Sequence, residues 1–280
     1  LAPLLQSLEK QLSGAPLFLV PRGESRKNRK EKAGLEDRLL AAGADRQTVL
    51  VAVGGGTVTD LVGFTAGTLQ RGVAYLSLPT TLLGMVDASL GGKTGVNTPA
   101  GKNMVGMFHP PAAVFTVLSA LRTLPPREWR NGLAECLKHG LLGNADYFQW
   151  VADTGLDEFR RDGDSLRRLV QQSVRLKMNV AAGDPREASG SRHLLNLGHT
   201  VAHALEQLSG YRFPHGSAVA CGLLWEAAAA RADGYLSAGS LEKVARAMKR
   251  FGVLPAWTER TPEDILHAAR SDKKPPIPRS

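Results

Sequence analysis

Between residues 17 and 117, short runs rich in β-branched residues alternate with glycine-rich turns and helical stretches. The runs are 17–20 (LFLV), 48–53 (TVLVAV), 73–78 (VAYLSL) and 113–117 (AVFTV). Apolar runs of this length separated by helix-length segments predict βαβ units joined in a parallel-type sheet. Beyond Pro125 the period changes. Trp129, Leu133 and Leu137 recur every four residues, and Leu169, Val170, Val174 and Leu176 repeat the behaviour within 166–180. That spacing predicts amphipathic helices and an all-α second half. The expected organisation is an α/β domain over residues 1–124 and an α-helical domain over 125–280. The boundary falls at Leu124-Pro125-Pro126, where prolines stop one element and can open the next. The chain shows no internal repeat and no low-complexity tract.

Composition narrows this only a little. With 43% hydrophobic and 22% charged residues over 280 positions, the chain can bury a core, which excludes disorder and collagen-like structure. The 30 glycines are an excess, and many cluster between residues 54 and 106, which points to loops built around a ligand. A net charge of +9 favours acidic partners: nucleic acid, an anionic membrane, or a phosphorylated and carboxylated small molecule. The densest basic run, 22–32, is interrupted by Glu24 and Glu31 and has no aromatic residue on which a base could stack. It reads as a solvated helix face, and no nucleic-acid partner is expected. The most apolar helical stretch, 218–230, carries Glu226 and is shorter than the ~18 residues of a membrane span, so no membrane association is expected. Two cysteines far apart, Cys136 and Cys221, do not make a disulfide scaffold, and a cytoplasmic protein is expected.

Three clusters carry candidate chemistry. Strand 48–53 runs into Gly54-Gly55-Gly56-Thr57-Val58-Thr59-Asp60 and then a helical stretch. A strand, a glycine turn and a helix N-terminus together let backbone N–H groups approach a pyrophosphate, although Thr59 occupies the third glycine position of the dinucleotide pattern. The second cluster runs through Thr80, Thr81 and Asp87 to Lys93, Asn97, Lys102 and Asn103 on glycine-rich loops, placing cations and amides where an anion can be approached closely. The third lies in the helical half: Glu135 among apolar neighbours, His199 and His203 four residues apart, and His215. A carboxylate in apolar surroundings needs a cation or strong donors. A carboxylate with two imidazoles is a common catalytic Zn²⁺ set, and the spacing of His199 and His203 allows that pair to chelate.

These stretches, read together, resemble the 3-dehydroquinate synthase family. GGGTVTDLVGFTAGTLQRG, LPTTLLGMVDASLGGKTGVNTPAGKNMVGMF, TLPPREWRNGLAECLKHG, LLNLGHTVAHALE, HGSAVACGL and the final DKK occur in the family's order and approximate spacing, from Pro21 to Lys274. The resemblance implies an NAD-binding α/β domain, a helical metal-binding domain, an active site in the cleft between them and a homodimer. It makes Glu135, His199 and His215 the ligands of Zn²⁺, or Co²⁺ in its place, and turns His203 to the substrate phosphate instead. Lys93, Asn103 and Arg71 join it there, Arg71 from the neighbouring subunit. Lys177, Arg192 and one lysine of Asp272-Lys273-Lys274, taken as Lys273, hold a carboxylate, while Asp87, Lys138 and Asn196 meet hydroxyl groups. Glu24 and Lys27 contact the adenosine ribose. Gly55, Gly56, Asp60, Thr80, Thr81 and Thr123 make the remaining NAD contacts, with Asp87, Lys93 and Lys102 also counted on the cofactor side.

The implied reaction converts 3-deoxy-D-arabino-heptulosonate 7-phosphate to 3-dehydroquinate and phosphate in the shikimate pathway. It proceeds by transient oxidation with NAD, β-elimination of phosphate, re-reduction, ring opening and an intramolecular aldol closure. Related sugar-phosphate cyclases share fold, cofactor and metal but act on substrates without a carboxylate; this chain keeps Lys177, Arg192, Asn196 and His203 together. A polyol dehydrogenase of similar fold would not need the phosphate loops. The sequence departs from the family where Ser217 stands in place of the usual Glu after His215-Gly216 and where 211–215 is one residue short. It is also one residue long between Lys177 and Arg192. It starts close to Pro21-Arg22-Gly23-Glu24 and ends just after the DKK motif, so a shortened view of the two-domain enzyme is expected.

Overall fold

The computed structural model describes residues 2–12, 14–99, 101–184, 187–251 and 261–270. The chain folds as two compact units, Leu1–Pro125 and Pro126–Ser280.

The first unit holds helices α1 (Ala2–Gln11), α2 (Arg29–Ala41) and α3 (Gly56–Thr68) and strands β1 (Val49–Gly54), β2 (Ala74–Pro79), β3 (Lys93–Thr98), β4 (Gly101–Phe108) and β5 (Ala113–Val114). β2 lies between β1 and β5 in a parallel sheet, with Val49 opposite Ala74 and Gly54 opposite Pro79. α2 begins where Asn28 accepts the N–H of Glu31 at 3.0 Å, a side-chain cap for a free helix end. α3 is buried on nearly every face, because it packs on β1 and β2 and also on β3. Leu35, Leu39, Leu50, Ala52, Val62, Ala66, Leu69, Val73 and Tyr75 form the core between α2, α3 and the sheet.

Two expectations change here. Residues 17–20 form no strand; Phe18 and Val20 pack inward on the core while Leu17 and Leu19 stay exposed. Alternation reports which face is buried and says nothing of a ladder partner, and among the described residues this segment has none in a sheet. The glycine-rich stretch after Gly91, read as loops, contains an antiparallel hairpin of β3 and β4. Its Gly95 and Gly106 face each other, and a Cβ on Gly106 would run into the Thr94 carbonyl. The glycines here permit close strand pairing instead of preventing it. The 113–117 run contributes only two ladder residues before the chain turns into a 3-10 segment, Leu118–Thr123.

In the second unit every regular element is helical among the described residues: α4 (Pro126–Gly143), α5 (Ala145–Asp153), α6 (Leu156–Arg161), α7 (Gly163–Gly183), α8 (His199–Leu208), α9 (His215–Ala232), α10 (Ala238–Arg250) and α11 (Pro262–Arg270), with a 3-10 turn at Ser191–Asn196. α4 opens on Pro126, whose missing N–H costs nothing in a first turn. Its buried stripe includes Trp129, Leu133 and Leu137, and it packs against α5, α7 and α9. Asn144 caps α5 through the N–H of Tyr147, and Asp162 caps α7 through that of Ser165, both at 2.8 Å. No described helix is long and apolar enough to cross a membrane.

α8 and α9 meet at backbone contact. Gly198, just before α8, sits in the left-handed region at φ 77°, and Gly222 of α9 lies against its carbonyl. A Cβ at Gly222 would meet backbone that cannot rotate away. Gly222→Ala is expected to cost about 1–3 kcal/mol, the usual penalty of overpacking, and to lower the melting temperature by several degrees in calorimetry. A variant melting with the parent would show that these two helices separate easily.

Candidate active site

The helical unit gathers three ligating side chains. Ligand atoms of Glu135 (α4), His199 (α8) and His215 (α9) all lie within 4.8 Å of one another. His199 Nε2 and His215 Nε2 stand 3.6 and 3.3 Å from Glu135 Oε1. Glu135 has no exposed surface, and its other oxygen forms a close ion pair with Lys138, one turn further along α4. Lys138 also donates to the Leu195 carbonyl at 2.8 Å. His203 faces His199, ring centroids 5.5 Å apart, but stands outside the trio. The helix pair at four-residue spacing is therefore not the ligating pair in this geometry.

The electrostatics suit a divalent cation. Burial, reinforced by the Lys138 charge, lowers the His199 pKa to about 3, so its ring is neutral at neutral pH. Its Nδ1 lies 3.2 Å from the Leu197 carbonyl, which can only accept, so the proton sits there and the Nε2 lone pair faces Glu135. Burial also disfavours charge on His215, but hydrogen bonds to Glu135 and Glu206 outweigh it and raise its pKa to about 10. Glu135 faces both imidazoles and so favours positive charge at the position between them, while Glu206 acts from the far side of the His215 ring. A carboxylate, two imidazole Nε2 atoms and that preference fit Zn²⁺ or Co²⁺.

The surrounding chain fixes these groups. Asn131 of α4 accepts the Gly216 N–H at 3.0 Å and anchors the start of α9, while Glu226 of α9 accepts the Gly198 N–H at 2.8 Å, one residue before His199. Lys177 (α7) and Arg192 (the 3-10 turn) are both buried, and Asn196 ends that turn half-buried. Asp184 accepts the N–H groups of Ala188, Ser189 and Gly190 at 2.7, 3.2 and 3.1 Å, folding back the loop that delivers Arg192. Burial works against its charge, yet these backbone bonds, with the Arg192 N–H, hold its pKa below the ordinary carboxylate value. Lys273 lies outside the described residues.

The α/β unit forms a second polar cluster. Lys27 is buried, contrary to the solvated face expected for its basic run; its Nζ contacts Asp60 Oδ2 at 2.8 Å, Asn103 Oδ1 at 2.7 Å and Glu24 Oε1 at 3.3 Å. The compact 3-10 turn Glu24–Arg26 turns this side chain inward, and those oxygens replace the water it loses. Desolvation opposes its charge, but Asp60 and Glu24 raise its pKa overall, while Lys27, Lys102 and Asn97 lower that of Glu24 against the cost of its own burial. Glu24 also accepts from Asn97 and Thr57. Of the residues expected around a dinucleotide, Glu24, Lys27 and Asp60 thus form one bonded set with Lys102 3.9 Å from Glu24, and Asn103, expected at the substrate phosphate, is tied into it. Gly55 precedes α3 with no side-chain cap, and Gly56 opens it. Thr80 N–H bonds the Gly54 carbonyl, and Thr81 packs beside Gly55 and caps the turn at Gly84. Asp87 lies half-buried in the π-helical turn Gly84–Ala88, Lys93 is exposed at the start of β3, and Thr123 is exposed at the end of its 3-10 turn. Arg71 is exposed, and Gln70, Arg71 and Gly72 take positive φ of 51, 72 and 121° in succession. Such strain in non-glycine residues is concentrated at functional sites.

Sequence reasoning missed Glu206, Asn131, Asp184 and Glu226. Glu206 had a signal: with His199 and His203 it stands at i, i+4 and i+7, one face of α8. The other three bond backbone N–H groups, which no side-chain pattern announces.

Comparison with known proteins gives a consistent picture. Residues 17–131 match the family model for the 3-dehydroquinate synthase N-terminal domain and 132–275 that for the C-terminal domain. A 3-dehydroquinate synthase of Rhodopirellula baltica is 41% identical over 273 residues, 95% of this chain and 72% of the relative. Among solved structures, 2-deoxy-scyllo-inosose synthase with carbaglucose-6-phosphate, NAD⁺ and Co²⁺ matches at TM-score 0.88 and 28% identity, over 97% of this chain and 76% of that one. A 2-epi-5-epi-valiolone synthase from Streptomyces hygroscopicus with NAD⁺ and Zn²⁺ matches at 0.88 and 28%, over 96% and 78%.

Two outcomes follow from this geometry. His199→Ala should lose bound Zn²⁺ on dialysis while melting like the metal-free parent; full metal content by elemental analysis would remove His199 from the ligand set. Asp184→Ala should speed amide exchange at residues 188–190 roughly tenfold or more at pH 7, since charge-assisted bonds are the stronger class. In the parent the protection is complete above the unfolded carboxylate pKa of ~3.9 and is lost as pH falls through the lower folded value. Exchange that is unchanged in the variant would mean the loop holds itself.

Proposed function

The chain belongs to the 3-dehydroquinate synthase family, and on that premise we propose that it converts 3-deoxy-D-arabino-heptulosonate 7-phosphate to 3-dehydroquinate and phosphate. The observation that carries this reading is the trio of buried Glu135 with half-buried His199 and His215, Lys138 lying against the carboxylate, in a chain whose two halves match the two domains of that family. Solved relatives at 28% identity hold NAD⁺ with Co²⁺ or Zn²⁺, and the same cofactors are proposed here. When bound, NAD⁺ accepts and returns a hydride and the metal acts as a Lewis acid on substrate oxygen.

The protein's own groups supply binding and orientation. Glu24, Lys27 and Asp60, locked together, present a fixed polar edge for a ribose, with Gly55, Gly56, Thr80, Thr81, Lys102 and Thr123 proposed for the rest of the dinucleotide. Asn103 Oδ1 accepts from Lys27 Nζ, which leaves its amide N–H groups to donate to a phosphate, alongside Lys93 and Arg71. In the helical unit His203 is assigned to phosphate. Lys177 and Arg192, with Lys273, are assigned to the carboxylate, and Asn196 and Lys138 to hydroxyl groups; Asp87 has the same role on the α/β side. Lys138, already held by Glu135 and Leu195, cannot swing away as charge develops on a neighbouring oxygen, which is the condition for electrostatic stabilisation without reorganisation. Cations that fix the phosphate let its own oxygens take the proton in the elimination, so no dedicated carboxylate base is required. A homodimer in the cytoplasm, with Arg71 lent between subunits, is the arrangement proposed from the family resemblance.

The closest competing reading is a cyclase whose substrate lacks the carboxylate, as the solved relatives' names suggest for them. Buried Lys177 and Arg192 favour the acid substrate. Metal-loaded protein with catalytic NAD⁺ should release phosphate and form 3-dehydroquinate from the heptulosonate phosphate. Turnover confined to a substrate without the carboxylate would overturn the assignment. Arg192→Ala should raise KM by roughly tenfold to a hundredfold, the loss of one charge-assisted bond of ~1.5–3 kcal/mol, with a smaller change in kcat; an unchanged KM would free Arg192 from the carboxylate role.

A further inference from the structure

His215 is held at both ring nitrogens. Its Nε2 faces Glu135 Oε1 at 3.3 Å, and its Nδ1 faces Glu206 Oε1, also at 3.3 Å. Glu206 has 1% of its surface exposed, although it carries a carboxylate and belongs to none of the expected site residues. Burying a carboxylate is costly unless it meets donors or positive charge. Its place in α8, on the face that also carries His199 and His203, points that carboxylate at the candidate metal centre.

We propose that Glu206 is the positioning residue of the metal site: its carboxylate accepts the Nδ1–H of His215 and thereby fixes the ring with the Nε2 lone pair turned toward Glu135 and the metal. The inference rests on the metal reading of the trio. The ring of an imidazole ligand turns about two bonds, and a partner on the far nitrogen fixes both the tautomer and the plane. The backbone of this ligand is set separately, by Asn131 on the Gly216 N–H. Ring and backbone are thus determined by different helices, α8 and α4. A purely architectural role for Glu206 is served by its backbone carbonyl, which accepts from Ser209 Oγ and the Tyr211 N–H. Those bonds survive any side-chain substitution, so variants isolate the carboxylate.

The test titrates Co²⁺ into metal-stripped parent, Glu206→Gln, Glu206→Ala and His199→Ala, reading affinity by chelator competition and the visible ligand-field spectrum of the bound ion. Glu206→Ala should bind Co²⁺ roughly tenfold to a hundredfold more weakly, the usual cost of losing such a partner, with an altered spectrum. Glu206→Gln, which can still accept the Nδ1–H without the charge, should fall between it and the parent. If Glu206→Ala does not fold, by melting of the metal-free forms, Glu206→Gln decides alone: parent affinity and spectrum in it overturn the proposal. If both Glu206 variants match the parent while His199→Ala loses Co²⁺, Glu206 has no positioning role and the metal reading stands. If His199→Ala also binds like the parent, the metal reading fails and the proposal with it.

Discussion

A carboxylate sealed inside a helix sets the terms for the helical unit. Glu135 has no exposed surface, and an ionised oxygen pair there is tolerable only if positive charge and donors surround it. Lys138 comes from the same helix, His199 and His215 from two others, and Lys138 is held in turn by the carbonyl of Leu195. Four separate stretches of chain must therefore arrive together for Glu135 to be buried at all. The same requirement that constrains the fold assembles the site, so stability and chemistry are here one demand read twice.

The α/β unit answers the mirror-image demand. Lys27 is a buried ammonium, and Asp60, Glu24 and Asn103 close around it. These groups come from the 3-10 turn at residue 24, from α3 and from β4, so the lysine ties the start of the unit to the hairpin. An ammonium so satisfied has no freedom to chase a ligand. It keeps Glu24 and Asp60 in one arrangement, and in the proposed dinucleotide site that would lower the ordering cost on binding.

Periodicity carried the helical unit well, because α4 and α7 bury continuous stripes such as Trp129, Leu133 and Leu137. The parallel pairing of β1 with β2 was legible for a similar reason: two apolar runs flank a glycine turn and a helix. What could not be read were relations between a side chain and a backbone group far away in sequence. Asn131 with Gly216 and Glu226 with Gly198 leave no periodic trace. The inward turn of Lys27 was hidden by the charges around it, which look solvated until the 3-10 turn places them. His203 shows the limit of spacing alone: the pair suits chelation, yet the group that clusters with Glu135 and His199 is His215, at the start of the next helix, as the family resemblance implies.

The glycine excess changes meaning most. Its clustering suggested loops around an anion, and Gly55 and Gly56 do stand at the N-terminus of α3, where the proposed dinucleotide would bind. Others are spent on backbone proximity. Gly63 lets Thr94 and Tyr75 approach α3, since a Cβ there would come within 2.6 Å of the Thr94 methyl. Gly95 and Gly106 bring β3 against β4, and Gly198 with Gly222 joins α8 to α9. Close backbone approach leaves little room for relative sliding, because interiors at this density resist compression. His199 follows directly on Gly198, and Lys93, Lys102 and Asn103 belong to the strands around Gly95 and Gly106. On the proposed function, His199, Lys93, Lys102 and Asn103 would thus sit on or beside segments joined by direct backbone contact, the kind of seat that lets charge be stabilised without reorganisation.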